Sequence, residues 1–323
     1  MNNFTPGKIP VAVVGLGLMG SSIAVALLIA GHQVKAIAPL AEDKELGPPR
    51  IKEQLLLCEK SGLLAHRIDY YLSRITVTED YSLLKHCQFV LECVVELMDV
   101  KKSVYHKITS NTEQDCVIAS NTSAIPISLL QKFVSNPERF MGVHWAEPAY
   151  MTRFLEITCG DKTAPGKAEW VFSLAHHWDK EPTILRKDIR GFVTNRLMYA
   201  VYREALSLIK NREATIEDTD KAFRYDAGSW MTLMGIFRRM DFVGLKDNAE
   251  IIKNIFPKLN NDNEIPDIMQ RMIDEKARGT KTSTGFYNYT EEEAKKWEEN
   301  FALFNRDIYE LAAKYPSDII DHS

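Results

Sequence analysis

A glycine-rich turn between an apolar strand and an apolar helix constrains the fold of this chain more than any other feature. The turn, Gly15-Leu16-Gly17-Leu18-Met19-Gly20, directly follows the β-branched run Val11–Val14. It directly precedes a run of small and apolar residues from Ser21 to Ala30, and Gly31 ends that run. Such a run is typical of a helix that packs closely on a sheet. The sequence therefore predicts a strand–turn–helix unit that belongs to a parallel sheet.

Each glycine of this turn has its own predicted role. Gly15 permits the tight turn, Gly17 lets the backbone approach an anion, and Gly20 lets the helix lie close to the strand. The amino terminus of the helix then faces the anion, as in dinucleotide-binding proteins. We therefore expect a dinucleotide pyrophosphate here, bound by Gly15, Gly17, Leu18, Met19 and Gly20.

The rest of the chain divides into a strand-rich part and a helical part. Between Ile9 and Arg186, short β-branched runs alternate with amphipathic stretches, which is typical of a parallel sheet flanked by helices. The predicted strands are Ile9–Val14, Gln33–Ala38, Ile75–Thr78, Phe89–Val94, Val117–Ser120, Phe140–His144, Phe154–Thr158 and Thr183–Arg186. After Gly191 helical periods take over, with a predicted helix over Phe192–Ile209 and a helix start at Thr215-Ile216-Glu217-Asp218.

These patterns predict an α/β fold, a Rossmann-type doubly wound and mainly parallel sheet followed by an all-α domain. We assign residues 1–187 to the dinucleotide-binding domain and residues 188–290 to a helical substrate and dimerisation domain. Residues 291–323 are predicted to form a helical tail, because they are rich in Glu and Lys around Trp297.

The composition argues against several classes of partner. With 40 basic and 44 acidic residues the formal net charge is −4, so no basic surface for nucleic acid or an anionic membrane is expected. The longest apolar stretch near the amino end, Ile23–Ala30, is far shorter than the roughly 20 residues of a membrane span. The 5 cysteines are scattered in apolar runs, and the histidines lack metal-ligand spacing. We therefore expect a cytoplasmic protein with reduced thiols and no metal.

One element of an NAD site is missing from its usual place. An acidic residue normally ends the second strand and binds the adenosine ribose, whereas this chain has Ala38-Pro39 there. The nearest acids are Glu42 and Asp43, and the nearby Lys44 and Arg50 could instead meet the 2′-phosphate of NADP. We favour NAD, because no arginine immediately follows the strand, and leave NADP open.

Further motifs lie where the predicted strands end, and ligands of open α/β sheets bind at those ends. In chain order they are Leu91-Glu92-Cys93-Val94-Val95-Glu96, Ser120-Asn121-Thr122-Ser123, Gly142-Val143-His144-Trp145-Ala146-Glu147-Pro148, Leu155-Glu156, Gly191-Phe192-Val193-Thr194-Asn195-Arg196 and Gly285-Phe286-Tyr287-Asn288-Tyr289. This ordered set resembles the 3-hydroxyacyl-CoA dehydrogenase family, from residue 9 to about residue 289.

The resemblance implies a specific set of roles. His144 is the acid/base that exchanges a proton with the 3-hydroxyl of the substrate, and Glu156 fixes its tautomer and stabilises its charged form. Ser123 and Asn195 hydrogen-bond the substrate oxygens, while Glu96 and Lys101 lie at the cofactor and substrate edge of the cleft. The family further implies an NAD cofactor, a 3-hydroxyacyl substrate that is CoA-linked, fatty acid metabolism and a homodimer.

Each of these residues also has a purely structural interpretation. His144 could be a core histidine satisfied by the backbone, and Ser123 and Thr122 could cap a helix that starts near Ile127. Asn195 could likewise cap its own helix. Lys101 and Lys102 together could form a solvated helix face.

The chain departs from the family pattern close to the chemistry. Glu147 occupies the position three residues after the histidine where the family has Asn, and an ionised carboxylate accepts hydrogen bonds but cannot donate them. Glu147 is therefore a predicted substrate-binding residue, unless it pairs with a base such as Arg153. At two other positions, Ile236 and Arg190, the family usually has proline. The segment around Ile236 is similar to the branch of carnitine and gulonate dehydrogenases, which act on free hydroxy acids.

Two other functions remain to be weighed. The opening Gly15–Gly20 is also similar to β-hydroxyacid dehydrogenases of the 6-phosphogluconate type, which need a lysine on the first long helix after the sheet. This chain has Asn195-Arg196 there and no lysine before Lys210. The second is a catalytically silent nucleotide-binding homologue, motivated by Ala38 and Glu147. The presence of Ser123, His144, Glu156 and Asn195 argues against both.

Overall fold

A computed structural model describes residues 5–315 of the chain. The chain forms two compact units, which divide between Val193 and Thr194. The boundary expected between residues 187 and 188 lies slightly ahead of this division. Each unit is described separately below.

The first unit is built on one 8-stranded sheet. Its strands are β1 (Val11–Val14), β2 (Val34–Ile37), β3 (Ile75–Thr78), β4 (Phe89–Glu92), β5 (Val117–Ser120), β6 (Phe140–Trp145), β7 (Phe154–Cys159) and β8 (Glu181–Leu185). They lie in the order β3-β2-β1-β4-β5-β6-β7-β8, and every neighbouring pair is parallel except β6 and β7. The predicted doubly wound, mainly parallel sheet is confirmed.

Helices cover both faces of this sheet. They are α1 (Leu18–Ile29), α2 (Ala41–Lys60), α3 (Ile68–Leu72), α4 (Met98–Ser110), α5 (Ile127–Leu130) and α6 (Pro165–His176). Alternate residues of β1 belong to two separate core clusters: Val11 and Val13 pack with α1 and α6, whereas Ala12 and Val14 pack with Tyr105 of α4. A strand buried on both faces reads as a continuous apolar run, which explains why Val11–Val14 has no polar alternation.

The second unit is helical over its described residues. Its helices are α7 (Thr194–Lys210), α8 (Ile216–Ala222), α9 (Gly228–Val243), α10 (Leu245–Ile255), α11 (Asp267–Asp274) and α12 (Glu291–Lys314). The predicted cap of α8 is confirmed, since Thr215 Oγ1 accepts a hydrogen bond from the Asp218 amide at 3.1 Å. The predicted start of α7 at Phe192 is wrong. Phe192 is buried and has a φ of +49°, which lies outside the helical region. The helix begins two residues later, at Thr194.

Within residues 5–315, no helix is both long and apolar enough to cross a bilayer. The same residues contain no cluster of three or more His, Cys, Asp or Glu side chains that could hold a metal ion. All 5 cysteines are free thiols, as predicted, and four of them are buried.

Candidate active site

The glycine-rich turn has the geometry that its sequence predicts. Gly15 has a φ of +99°, and a Cβ added there would lie 2.9 Å from the backbone carbonyl of Cys93. A Cβ on Gly20 would overlap the carbonyl oxygen of Gly15. These positions therefore accept only glycine for reasons internal to the fold. Gly17 differs, because a Cβ there would meet nothing within 4 Å.

The space beside Gly17 fits a dinucleotide pyrophosphate. Gly17 is the N-cap of α1, and no side chain caps this end of the helix. The first amides of α1, at Leu18 and Met19, lack intrahelical acceptors and lie at the positive end of the helix dipole. Leu18 is exposed and Met19 is half-buried. An open approach next to uncapped amides is the arrangement that binds phosphate.

The two bases considered for an NADP phosphate are both engaged within the first unit. Arg50 donates from Nη1 to the carbonyl oxygen of Leu16 at 2.7 Å. Lys44 pairs with Glu79 at 2.8 Å. Asp43 is half-buried, and burial raises the pKa of its carboxyl group although hydrogen bonds from the backbone of Leu16 oppose this. Both bases already contact other groups, so neither is dedicated to binding the 2′-phosphate of NADP. This agrees with NAD as the cofactor.

His144 and Glu156 lie directly opposite each other on the antiparallel strands β6 and β7. Paired residues of such a ladder point to the same face of the sheet, so the side chains leave the backbone side by side. Glu156 is buried, and its Oε1 accepts a hydrogen bond from the Val193 amide at 3.2 Å. The structure thus brings the predicted acid/base and its predicted partner together.

Aromatic rings enclose His144. Its ring centroid lies 5.5 Å from that of Phe154 and 6.2 Å from that of Phe192. This burial lowers the pKa of His144 below its usual value, and the negative charge of Glu96 offsets part of the effect. A neutral imidazole near neutral pH is a competent proton acceptor.

Glu96 is held by a buried ion network. Glu92, at the end of β4, accepts hydrogen bonds from Lys101 at 2.8 Å, from Tyr105 at 2.6 Å and from Ser120 at 2.8 Å. The ammonium of Lys101 also lies 3.4 Å from the carboxylate of Glu96, which is partly exposed. Because three neighbours satisfy the Glu92 carboxylate, its burial is compensated.

The solvated-face interpretation is therefore wrong for Lys101, whose side chain is only 1% exposed. It applies to Lys102, which is exposed and pairs with Asp99. The ammonium of Lys101 contacts the carboxylates of Glu92 and Glu96. A direct contact of Lys101 with a cofactor stays a prediction.

The loop after β5 carries Ser123 toward the same sheet edge. Asn121 accepts a hydrogen bond at Oδ1 from the Trp145 amide at 3.0 Å and thereby ties this loop to the strand of His144. Thr122 accepts from the Ile125 amide at 3.0 Å, and Ser123 is half-buried. The interpretation of Thr122 as a cap of α5 is wrong, because its hydroxyl accepts from the Ala124 and Ile125 amides, which precede the helix, and the N-cap of α5 is Pro126.

The remaining predicted site residues lie in two places. Glu147 is exposed in the segment between β6 and β7 and precedes a cis peptide bond to Pro148. Arg153 lies 3.5 Å from Glu181 and 3.7 Å from Asp179, and its pairing with Glu147 stays a prediction. Asn195 belongs to the second unit, in the first turn of α7.

Sequence reasoning left out three residues that shape this site. Glu92 was noted only as part of a motif, although its position at the end of a buried strand is itself a signal. Phe154 and Phe192 were not expected beside His144, and no local pattern could have indicated their contact.

Comparison with known proteins agrees with this geometry. The model of the 3-hydroxyacyl-CoA dehydrogenase NAD-binding domain matches residues 10–189, and that of the family's C-terminal domain matches residues 191–289. A 5-formyl-3-hydroxy-2-methylpyridine 4-carboxylate 5-dehydrogenase of Mesorhizobium japonicum is 32% identical over 88% of this chain and 92% of its own length.

Two solved structures have the same architecture. An NAD⁺-dependent 5-formyl-3-hydroxy-2-methylpyridine 4-carboxylic acid 5-dehydrogenase, described as a dismutase, superposes with a TM-score of 0.87 at 27% identity and covers 95% of this chain and 99% of its own. A (S)-3-hydroxybutyryl-CoA dehydrogenase from Ralstonia eutropha gives a TM-score of 0.72 at 26% identity, over 87% of this chain and 99% of its own.

Proposed function

The chain belongs to the 3-hydroxyacyl-CoA dehydrogenase family and is an NAD-dependent oxidoreductase, and from this premise we propose that His144 is its acid/base. The observation that carries the proposal is the pairing of His144 with Glu156 across β6 and β7. NAD, when bound, supplies the redox chemistry. In the oxidative direction the neutral imidazole takes the proton of the substrate hydroxyl.

The surroundings of His144 suit this role. Glu156 stabilises the imidazolium as it forms and, because its own Oε1 is held by the Val193 amide, keeps a fixed orientation. Phe154 and Phe192 exclude water from one side of the ring. Ser123 orients the substrate oxygen. Asn195, from the first turn of α7, is the second proposed ligand of the substrate.

We further propose that the substrate is a small free hydroxy acid or its carbonyl form, with a 3-hydroxyacyl-CoA thioester as the second candidate. Glu147 supports the first, because a carboxylate in place of the family's amide accepts hydrogen bonds from hydroxyl or cationic groups and cannot donate to a thioester carbonyl. The higher TM-score with the pyridine-carboxylate dehydrogenase points the same way. The family membership itself supports the acyl-CoA candidate, and with it fatty acid metabolism.

A substrate panel tests these proposals together. Acetoacetyl-CoA, free 3-oxo acids and 5-formyl-3-hydroxy-2-methylpyridine 4-carboxylate are carbonyl compounds, so each would be assayed with NADH and with NADPH as the hydride donor, following the loss of nicotinamide absorbance. We expect reduction of a free acid with NADH in preference to NADPH, and a fall of kcat by about 10²–10⁴-fold in His144→Ala and Glu156→Gln with the Kd for NAD unchanged. A variant that loses nucleotide affinity but keeps turnover would refute the assigned roles.

Glu147→Asn separates the two substrate candidates. Restoring the family's amide should raise kcat/KM for acetoacetyl-CoA and lower it for the free acid, because the amide donates a hydrogen bond that the carboxylate cannot. Glu138→Gln, at an exposed acid ahead of β6, is the control. If acetoacetyl-CoA is the better substrate of the wild type and Glu147→Asn changes neither value, the acyl-CoA candidate is preferred.

We also propose that the protein is a homodimer that associates through its second unit. None of the described residues of that unit is buried in a single chain. Large apolar side chains remain exposed instead, among them Phe237, Phe242 and Leu245. Apolar surface on this scale marks an association site, and a second copy of the chain is the partner that closed symmetry favours.

A further inference from the structure

Lys180 is a buried cation bound by backbone carbonyl groups. It lies just ahead of β8, and its side chain is almost wholly buried. Its Nζ donates to the carbonyl oxygen of Ala149 at 2.7 Å and to that of Thr152. The ammonium also lies 5.4 Å from the centre of the Trp145 ring, within the range of a cation–π contact.

Both carbonyl groups belong to one segment, residues 146–152, which leaves β6 directly after His144 and Trp145. This segment carries Glu147. The Ala149 amide donates to Ser22 Oγ of α1 at 2.8 Å, so the same residue is anchored at its amide by α1 and at its carbonyl by Lys180. Thr152 closes the segment by donating to the Ala146 carbonyl at 3.3 Å.

We propose that Lys180 is a positioning residue that fixes the segment 146–152, and with it Glu147, for substrate binding. The inference rests on the proposed function, in which Glu147 binds the substrate. The physical reason is the number of backbone groups involved. A single ammonium donates to two carbonyl oxygens of the same segment, and a buried acceptor that loses its donor is costly.

The charge state of Lys180 makes the anchor sensitive to pH. Burial lowers the pKa of Lys180 to about 7, while Asp179 opposes this shift and Arg153 adds to it. Arg153 is in turn paired with Asp179 and Glu181. The protonated form binds the carbonyl groups by charge-assisted hydrogen bonds, and the neutral amine binds them more weakly. The anchor is therefore strong below about pH 7 and weakens above it.

Lys180→Met and Lys180→Arg test this proposal. In Lys180→Met the substrate KM should rise by about tenfold or more at pH 6, since small displacements of positioning groups are costly. The Kd for NAD, measured by nucleotide fluorescence, should stay within about twofold of wild type, because the phosphate turn keeps its own contacts. In the wild type the substrate KM should rise as pH passes about 7. Lys180→Arg should remove this pH dependence, because arginine stays charged.

The matched control is Lys167→Met. Lys167 also donates to a backbone carbonyl, that of Asp115 at 2.6 Å, but it is exposed and belongs to α6. We expect wild-type KM and pH profile. An unchanged substrate KM in Lys180→Met, or a loss confined to kcat at constant KM, would overturn the positioning role.

Hydrogen exchange of residues 146–152 separates this inference from the proposed function. Exchange should accelerate in Lys180→Met and, in wild type, between pH 6 and 8 beyond the intrinsic base-catalysed increase. If no substrate of the panel is turned over but exchange behaves this way, the proposed function fails and the anchor stands. If turnover is found but exchange does not respond to Lys180→Met, the anchor fails alone.

Discussion

At the scale of single residues, the chemistry depends on which charges surround His144. Burial against Phe154 and Phe192 disfavours the imidazolium, and the carboxylate of Glu96 favours it. Glu96 is itself held near the site by Lys101, whose ammonium is shared with the buried Glu92. Burial thus lowers the pKa of the proposed acid/base, and the carboxylate of Glu96 opposes this shift.

Glu96→Gln tests that balance. Removing the negative charge removes a contribution that raises the pKa of His144, so this pKa should fall further. Oxidation needs the neutral imidazole, and its acid limb in a profile of kcat/KM against pH should therefore move to lower pH. Asp99→Asn, at an exposed acid in the first turn of α4, is the control. A shift toward higher pH in Glu96→Gln would contradict the electrostatic role of Glu96.

A second histidine links pH to stability instead of catalysis. His32 is fully buried, with Nδ1 3.0 Å from the Ile9 carbonyl and Nε2 accepting from the Trp178 indole at 2.8 Å. Both contacts are met at once only when the ring is neutral and Nδ1 carries the proton. Burial accordingly lowers the pKa of His32 below 6.5.

The free energy of unfolding should therefore fall as pH drops below about 6.5, the pKa of an unfolded histidine. The unfolded chain takes up a proton there that the folded chain does not, and one such group gives a slope of up to about 1.4 kcal/mol per pH unit. Above this pH the contribution is constant. Urea titrations between pH 5 and 8 measure it. His32→Gln should flatten the slope, and His86→Gln, at an exposed histidine, should leave it as in wild type.

At the scale of elements, the turn between β1 and α1 combines two different demands on glycine. Gly20 is required by packing, because any Cβ there overlaps the carbonyl of Gly15. Gly17 has no such conflict, and its φ of −60° suits any residue. We therefore propose that the reason for glycine at position 17 lies outside the folded chain, in the close approach of the bound nucleotide.

Gly17→Ala and Gly20→Ala should accordingly fail in different ways. Gly17→Ala should keep the melting temperature of the nucleotide-free protein and weaken NAD binding by about tenfold or more, the loss of one or two phosphate hydrogen bonds. Gly20→Ala should lower the free energy of unfolding by about 1–3 kcal/mol through overpacking. Thermal melts with and without NAD measure both. Unaltered NAD affinity in Gly17→Ala would mean that the pyrophosphate does not approach this residue.

At the scale of the whole molecule, the two units differ in how they are stabilised. The first unit has two continuous apolar cores, one on each face of its sheet. The second unit has no buried residue among those described. Even its large apolar side chains are exposed, Phe237 by 81% and Phe242 by 74%. This exposed apolar surface supports the proposed association of the second unit.

Phe237→Asp should therefore convert the proposed homodimer into monomers. A charge at the centre of an apolar interface leaves an uncompensated buried carboxylate, which disfavours association. Light scattering at micromolar concentration should give twice the chain mass for wild type and one chain mass for the variant. Leu57→Asp, at a partly exposed leucine of the first unit, should remain dimeric. A monomeric wild type would remove the proposal.

The sequence alone was sufficient for the features that local patterns encode. Every predicted strand exists, because a β-branched run between turn residues needs no distant contact to favour extended backbone. The glycine-rich turn between β1 and α1 and the cap of α8 were likewise correct, since both depend on residues within a few positions of one another. The NAD cofactor and the family followed from the order and spacing of these local motifs.

Only the tertiary structure decided which side chains meet. That His144 faces Glu156 follows from the register of two antiparallel strands, and a shift by one residue would have turned the side chains to opposite faces. No pattern in the sequence marks Lys101 or Lys180 as buried, and lysine is seldom buried. Their carboxylate and carbonyl partners, Glu92 and Ala149, come from other elements of the fold. Periodicity along the chain reports which face a residue occupies, but the partner that makes a buried charge tolerable is chosen by packing across the sheet.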